Sequence, residues 1–409
     1  MKDLLMNRSI TDEGIWIGRC HIPPEKAYNN IEGPHVVWVH KEWVYDLSYH
    51  FKSTGELINS GNYKEILDVN DPNITKVGPF EDILENSIYY QKNHAKPYFL
   101  SPNDTQAVKA CGVTFIKSLL ERVIEERAKG EPQLAMQLRD EITTVIGESL
   151  NNIVPGSPQA VSLKEELKKR GIWSQYLEVG IGPNAEVFTK SQPFSSVGFG
   201  AEVGVLSDSK WNNPEPEVVL VVNNSGKIVG ATLGNDVNLR DYEGRSALLL
   251  GEAKDQNGSC AVGPLFRMFD DSFSLDDVKS AKVSLAITGT DGFELKDASD
   301  MGEISRSPEE LVKQVINDNH QYPDGFILFC GTMFAPTLDR NEKDMGFTHK
   351  PQDRVIIESP KLGMLVNWVN SADKIPHWNF GINAFVDYSL KRAQKKELIG
   401  STLKQSHSQ

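Results

Sequence analysis

Asn213-Pro214-Glu215-Pro216-Glu217-Val218-Val219-Leu220-Val221-Val222-Asn223-Asn224-Ser225-Gly226-Lys227-Ile228-Val229-Gly230-Ala231-Thr232-Leu233-Gly234-Asn235-Asp236 is the stretch on which the fold turns. Two apolar runs, Val218 to Val222 and Ile228 to Thr232, flank Asn224-Ser225-Gly226, whose composition is that of a tight hairpin connection. In an extended segment side chains alternate, so Glu215 and Glu217 share a face, and the hairpin returns Asp236 beside them. Three carboxylates at close range repel one another, and a divalent cation would neutralise them. Oxygen-only ligands favour magnesium, with manganese or calcium as alternatives, over zinc or copper. A solvated strand edge ending in a turn aspartate would show the same spacing, and spacing alone weighs the two readings evenly.

Outward from this hairpin, strand patterns dominate from Trp173 to about Val386. Further hairpins are expected at Asp291-Gly292 and Lys361-Leu362-Gly363, and a short helix is expected to open at Ser307-Pro308-Glu309-Glu310. Upstream, Val108, Cys111, Phe115, Leu119, Val123 and Ile124 recur at helical spacing, followed by a charged run, Glu121-Arg122 to Arg127, read as surface. A second helix is expected from Pro132, and a third from Ser157 as cap and Pro158 at its first position to Gly171. The first stretch, roughly to Asp82, reads as short strands and loops rather than long helices. The expected organisation is a β-rich N-terminal domain over 1–103, a helical lid or spacer over 104–171, a catalytic domain over 172–390 and a polar tail over 391–409, frayed and without function.

The 409 residues carry a net charge of -13 without a dense basic stripe, which argues against nucleic acid as a partner. Cys20, Cys111, Cys260 and Cys330 lie far apart, fitting neither a zinc cluster nor a disulfide framework. No apolar run reaches membrane-spanning length and the N-terminus lacks a signal-peptide pattern, so a cytoplasmic protein without membrane contact is expected.

The run Asn235-Asp236-Val237-Asn238-Leu239-Arg240-Asp241-Tyr242-Glu243-Gly244 resembles the Asn-Asp-x-x-x-Arg-Asp signature of the fumarylacetoacetate hydrolase superfamily. The resemblance extends from about Trp173 to Asn370 and takes in the Glu-x-Glu pair, the Lys254 segment, the Gly331-Thr332 turn and the Asp353 to Gly363 hairpin. It implies an α+β fold whose core is a mixed β-sandwich roll, here with a smaller N-terminal α/β extension, commonly dimeric. It implies that Glu215, Glu217 and Asp236 bind the metal, that Arg240, Glu243 and Thr332 contact substrate, and that Lys254 lies beside the metal-bound carbonyl of a small 2-oxo acid.

Members of the superfamily that hydrolyse or decarboxylate generally place a His paired with a Glu ahead of the metal ligands. Here no histidine occurs between His94 and His320. Gly182-Pro183-Asn184-Ala185-Glu186-Val187-Phe188-Thr189-Lys190 occupies that segment, with Glu186 its conspicuous ionisable group. This arrangement resembles the 2-keto-3-deoxy-D-arabinonate dehydratase branch, which implies Glu186 and Lys254 as the proton-handling pair. Two rivals stand beside that expectation. One is a hydrolase of a 2,4-dioxo acid with water activated by Glu186, His35, His40 or His94. The other is a non-catalytic binding protein on the same fold. The glycines from Gly198 to Gly204 lack dinucleotide-fingerprint spacing.

Overall fold

The computed structural model describes residues 13–143, 150, 153–334, 336, 338–340, 343 and 345–406. Its strands are β1 (Ile15–Ile22), β2 (Gly33–His40), β3 (Trp43–Asp46), β4 (Thr75–Pro79), β5 (Tyr98–Phe99), β6 (Ala107–Gly112), β7 (Glu186–Ser191), β8 (Glu202–Val205) and β9 (Asn212–Asn213). They continue with β10 (Pro216–Val222), β11 (Ile228–Asp236), β12 (Asn238–Leu239), β13 (Cys260–Met268), β14 (Lys282–Thr288), β15 (Glu294–Asp300), β16 (Phe326–Phe329), β17 (Arg354–Ser359) and β18 (Gly363–Ser371).

Two sheets dominate. The larger runs β4-β3-β2-β1-β13-β11-β10-β16-β6-β7, with β5 on β1, and the smaller runs β15-β14-β17-β18-β8. Most neighbours are antiparallel, while β16 with β6 and β18 with β8 are parallel. Alternation along β10 explains the layering: Val218, Leu220 and Val222 face Leu285, Ile287, Val355 and Leu365 of the smaller sheet. Val219 and Val221 face the other way, into a core with Val262, Phe266, Ile327 and Phe329 that is covered by Phe51, Leu57 and Ile58. Each such fully buried aliphatic contributes about 1.5–3 kcal/mol. The result is an α+β mixed sandwich. The N-terminal strands belong to the same sheet as the central hairpin, because β1 pairs with β13, and the expected boundary at 103 falls between two strands of that sheet, β5 and β6.

The β10–β11 hairpin forms as expected, with Gly226 at φ 79°, and the hairpins at Gly292 and Gly363 carry left-handed glycines too. Helix Pro158–Lys169 starts at Ser157, whose hydroxyl accepts from the Ala160 N–H, and helix Pro308–Val315 is capped by Ser307 in the same way. Three expectations are corrected. Ala107–Gly112 is a strand, not the start of a helix, since β16 and β7 supply ladder partners on both sides; the helix begins at Ile116 and ends at Arg127. A helix, Gln175–Ile181, precedes the strand-rich half. The tail is not frayed from Lys391: helix Ile382–Ser406 runs through it, with Tyr388 and Arg392 buried and the Arg392 guanidinium donating to the Ser48 carbonyl.

Candidate active site

Register puts the three carboxylates together. Pro216 pairs with Asn235 and Glu217 with Gly234, so Glu215 and Glu217 at the start of β10 face Asp236 at the end of β11. The Asp236 N–H donates to the Glu215 carbonyl at 3.0 Å, and the Glu215 N–H donates to Asn235 Oδ1 at 3.1 Å. One oxygen of each carboxylate lies within 4.8 Å of the others, and all three residues are buried. Glu217 accepts from the Gly331 N–H at 2.7 Å and from Thr332 Oγ1 at 3.3 Å. Gly331 is required there: its φ is 106° and a Cβ would sit 1.9 Å from Thr114 Oγ1.

Burial, then the charges of Asp236 and Glu215, push the Glu217 carboxyl well above the usual carboxylate range. Burial acts the same way on Glu215, but Lys254 and Arg122 outweigh it and hold that carboxyl down to about 2. A cluster of buried oxygen donors in which one member resists ionisation through burial and the charges of the other two fits a hard divalent cation. Glu215, Glu217 and Asp236 are the residues that would hold it.

Lys254, at the end of helix Leu250–Lys254, places its ammonium 2.6 Å from Glu215 and 3.1 Å from Asp236. Burial disfavours its charge, but Asp236, Glu215 and Glu243 outweigh that and raise its pKa above the ordinary value. Glu186 opens β7 opposite Gly112 of β6, and its carboxylate occupies the space a side chain at Gly112 would take. Burial raises the Glu186 pKa against the opposing pull of Arg122 and Lys254. Glu243 is buried 2.7 Å from Arg122 Nη1, and burial outweighs that cation to bring its carboxyl up to about 7. The Arg240 guanidinium is held by carboxylates of the helical block, Nε to Glu125 at 2.6 Å and Nη2 to Glu121 at 2.8 Å, and lies over the Trp211 ring at 4.2 Å.

Two cations at the cluster escaped sequence reasoning. Lys190 on β7 is fully buried, 2.9 Å from Asp236 Oδ1 and donating to the Val237 carbonyl at 3.3 Å. Arg122 donates to Glu215 and to Glu125 at 2.6 Å each. The run from Glu121 to Arg127 is therefore not simply a surface, since Arg122 and Glu125 are buried within it. The available signal was their three-residue spacing between the core residues Leu119, Val123 and Ile124.

The histidines are engaged elsewhere. His35 is taken up by Asp46 at 2.8 Å and the Ile31 carbonyl at 2.9 Å, and β1 and β13 separate its strand from β11. His40 packs on Trp38, His94 meets the Tyr98 ring edge-on, and His349 pairs with Asp353 at 3.1 Å. Among the described residues, no histidine hydrogen-bonds to the three carboxylates. No helix is long and apolar enough to cross a membrane among those residues either.

The chain is 34% identical over 193 residues to the 2-dehydro-3-deoxy-D-arabinonate dehydratase of Saccharolobus solfataricus, 46% of this chain and 60% of that protein. It is 32% identical over 196 residues to the probable 2-keto-3-deoxyxylonate dehydratase of Haloferax volcanii, 48% of this chain and 64% of the relative. Each match spans less than two thirds of the relative's length. Among solved structures, a 2-keto-3-deoxy-D-arabinonate dehydratase complexed with magnesium and 2,5-dioxopentanoate shares the fold, with a TM-score of 0.57 at 22% identity over 87% of this chain and 99% of that one. The fumarylacetoacetate hydrolase of Exiguobacterium antarcticum superposes with a TM-score of 0.53 at 13% identity, over 88% of this chain and all of that one (100%). The model of the fumarylacetoacetate hydrolase C-terminal family matches residues 158–370, more than half the chain and all three clustered carboxylates, and the chain belongs to that family.

Proposed function

We propose that the protein is a magnesium-dependent dehydratase of a 2-keto-3-deoxy sugar acid such as 2-keto-3-deoxy-D-arabinonate, releasing water to give 2,5-dioxopentanoate. The observation that carries this reading is the grouping of Glu186 and Lys254 with Glu215, Glu217 and Asp236, in a chain 32–34% identical over part of its length to two proteins named as dehydratases of such acids. A divalent cation bound by the three carboxylates would supply Lewis-acid polarisation of the substrate's 2-oxo group, acidifying the proton on carbon 3.

The chain's own groups supply the proton traffic. Glu186, with its raised pKa, retains a proton closer to neutrality than an ordinary carboxyl and is suited to deliver it to the hydroxyl leaving carbon 4. Lys254 is proposed to take the carbon 3 proton as the free amine, a form that requires the pull of Asp236, Glu215 and Glu243 on its ammonium to be relieved first. The C3–H and C4–O bonds break, a C3–C4 double bond forms, and one water leaves. A proton shift from carbon 5 to carbon 3 then moves the double bond to C4–C5, and the resulting enol passes its hydroxyl proton to carbon 4 to become the aldehyde. Arg240, Glu243 and Thr332 are proposed to contact substrate, and the active assembly is proposed to be a homodimer.

The test is incubation of the purified protein with 2-keto-3-deoxy-pentonates of both configurations, followed by mass spectrometry. The reading expects a product one water lighter that carries an aldehyde. Cleavage of 2,4-dioxo acids to pyruvate, without any such dehydration, would overturn it in favour of a hydrolase.

A further inference from the structure

A cavity of roughly 420 Å³ lies where three stretches outside the carboxylate cluster meet: β1 with the loop before β6, the loop between β7 and β8, and residues 375–380. None of its lining residues is among the proposed metal-binding, catalytic or substrate-binding residues. Arg19 is buried in its wall, only 6% exposed. Its Nη1 donates to the Asn103 carbonyl at 2.8 Å and the Ser101 carbonyl at 3.3 Å, while Asp104 stands 3.7 Å from Nε and is itself engaged by the N–H groups of Thr54 and Gly55. Among the described residues Nη2 makes no hydrogen bond. Arg19 lines the cavity and this nitrogen is not one of its fully buried atoms, so it opens on the cavity, where an anion would meet it with a charge-assisted hydrogen bond.

The rest of the lining points to the kind of anion. Lys92 stands 4.7 Å from the centroid of the Tyr98 ring and has no ion-pair partner among the described residues. Glu202 is the one acid in the lining and accepts from Asn370 at 2.9 Å, while Asp104 stands behind Arg19 and Glu32 lies 3.1 Å from His21, so Lys92 is the lining cation with no acid of its own among the described residues. Its walls are flat. His21 and Tyr98 stack at 4.7 Å with an interplanar angle of 16°, and the Phe194 ring lies 5.5 Å from the Arg19 guanidinium. Trp378, 46% exposed, has its indole N–H pinned to the Phe380 carbonyl at 2.8 Å. The volume suits a single-ring ligand.

We propose that this cavity is a second binding site, for a small arylcarboxylate whose carboxylate meets Arg19 Nη2 and Lys92 while its ring lies against the aromatic walls. It is independent of the activity proposed above. Titration calorimetry with benzoate, benzamide and cyclohexanecarboxylate tests it. Saturable one-to-one binding of benzoate is expected, with benzamide, which lacks the charge, and cyclohexanecarboxylate, which lacks the flat ring, at least about tenfold weaker. Lys92→Gln and Trp378→Ala, which leave the buried Arg19 in place, should each weaken benzoate by about tenfold, and Glu217→Gln should leave it unchanged. Absence of saturable benzoate binding at millimolar concentration would overturn the proposal. So would equal binding of benzamide, or loss of binding in Glu217→Gln with retention in Lys92→Gln.

Discussion

Gly331 shows how one residue sets the chemistry. Its positive φ lets its N–H reach Glu217, and its missing side chain lets Thr114 bond the Cys330 carbonyl at 2.7 Å. Gly331→Ala should cost about 1–3 kcal/mol in chemical denaturation and weaken metal binding through the displaced N–H. Glu186 separates proton transfer from metal binding, because it lies beside the cluster without belonging to it. Glu186→Gln is expected to lower kcat by about 10²–10⁴-fold with metal affinity nearly unchanged, whereas Glu217→Ala should abolish metal binding in calorimetry. Equal loss of metal in both variants would contradict that division. The closeness of Glu215, Glu217 and Asp236 was legible beforehand because one hairpin carries all three, whereas Glu186 was singled out only through the family resemblance. Arg122 was not, since it meets Glu215 across 93 positions and only the folded chain joins them.

Elements defined by local rules were read correctly, and elements defined by distant partners were not. Glycine turns and Ser-Pro helix starts are decided within a few residues, which is why the β10–β11 hairpin and the helix after Ser157 formed where expected. The spacing of Val108, Cys111 and Phe115 also matches a helix, and Ala107–Gly112 becomes a strand only because β16, far along the chain, pairs with it. The tail lacks helical periodicity of its own, yet Tyr388 packs on His35 of β2 and Arg392 bonds Ser48 in the turn after β3. Ser157→Ala should destabilise helix Pro158–Lys169 by about 1 kcal/mol, seen as earlier loss of amide protection in that helix than elsewhere.

At the scale of the whole molecule, one sheet carries both the N-terminal extension and the site, so acid sensitivity in the extension reports on the common fold. Burial opposes ionisation of Asp46, but His35 and the Ser48 N–H outweigh it and hold that carboxyl below its usual range. A depressed folded pKa contributes stability above the unfolded value of about 3.9 that is lost as pH falls through the folded value. Asp46→Asn should therefore cost about 1–3 kcal/mol at pH 7 and converge with the unmodified protein in more acidic urea titrations. Dehydration is expected to depend on a cation held by the three carboxylates. That dependence is tested most directly by treating the protein with EDTA, adding 2-keto-3-deoxy-D-arabinonate, and titrating magnesium while 2,5-dioxopentanoate is followed. The expected result is no product without metal, saturable recovery with magnesium, and no recovery in Glu217→Ala; undiminished dehydration in EDTA would contradict it.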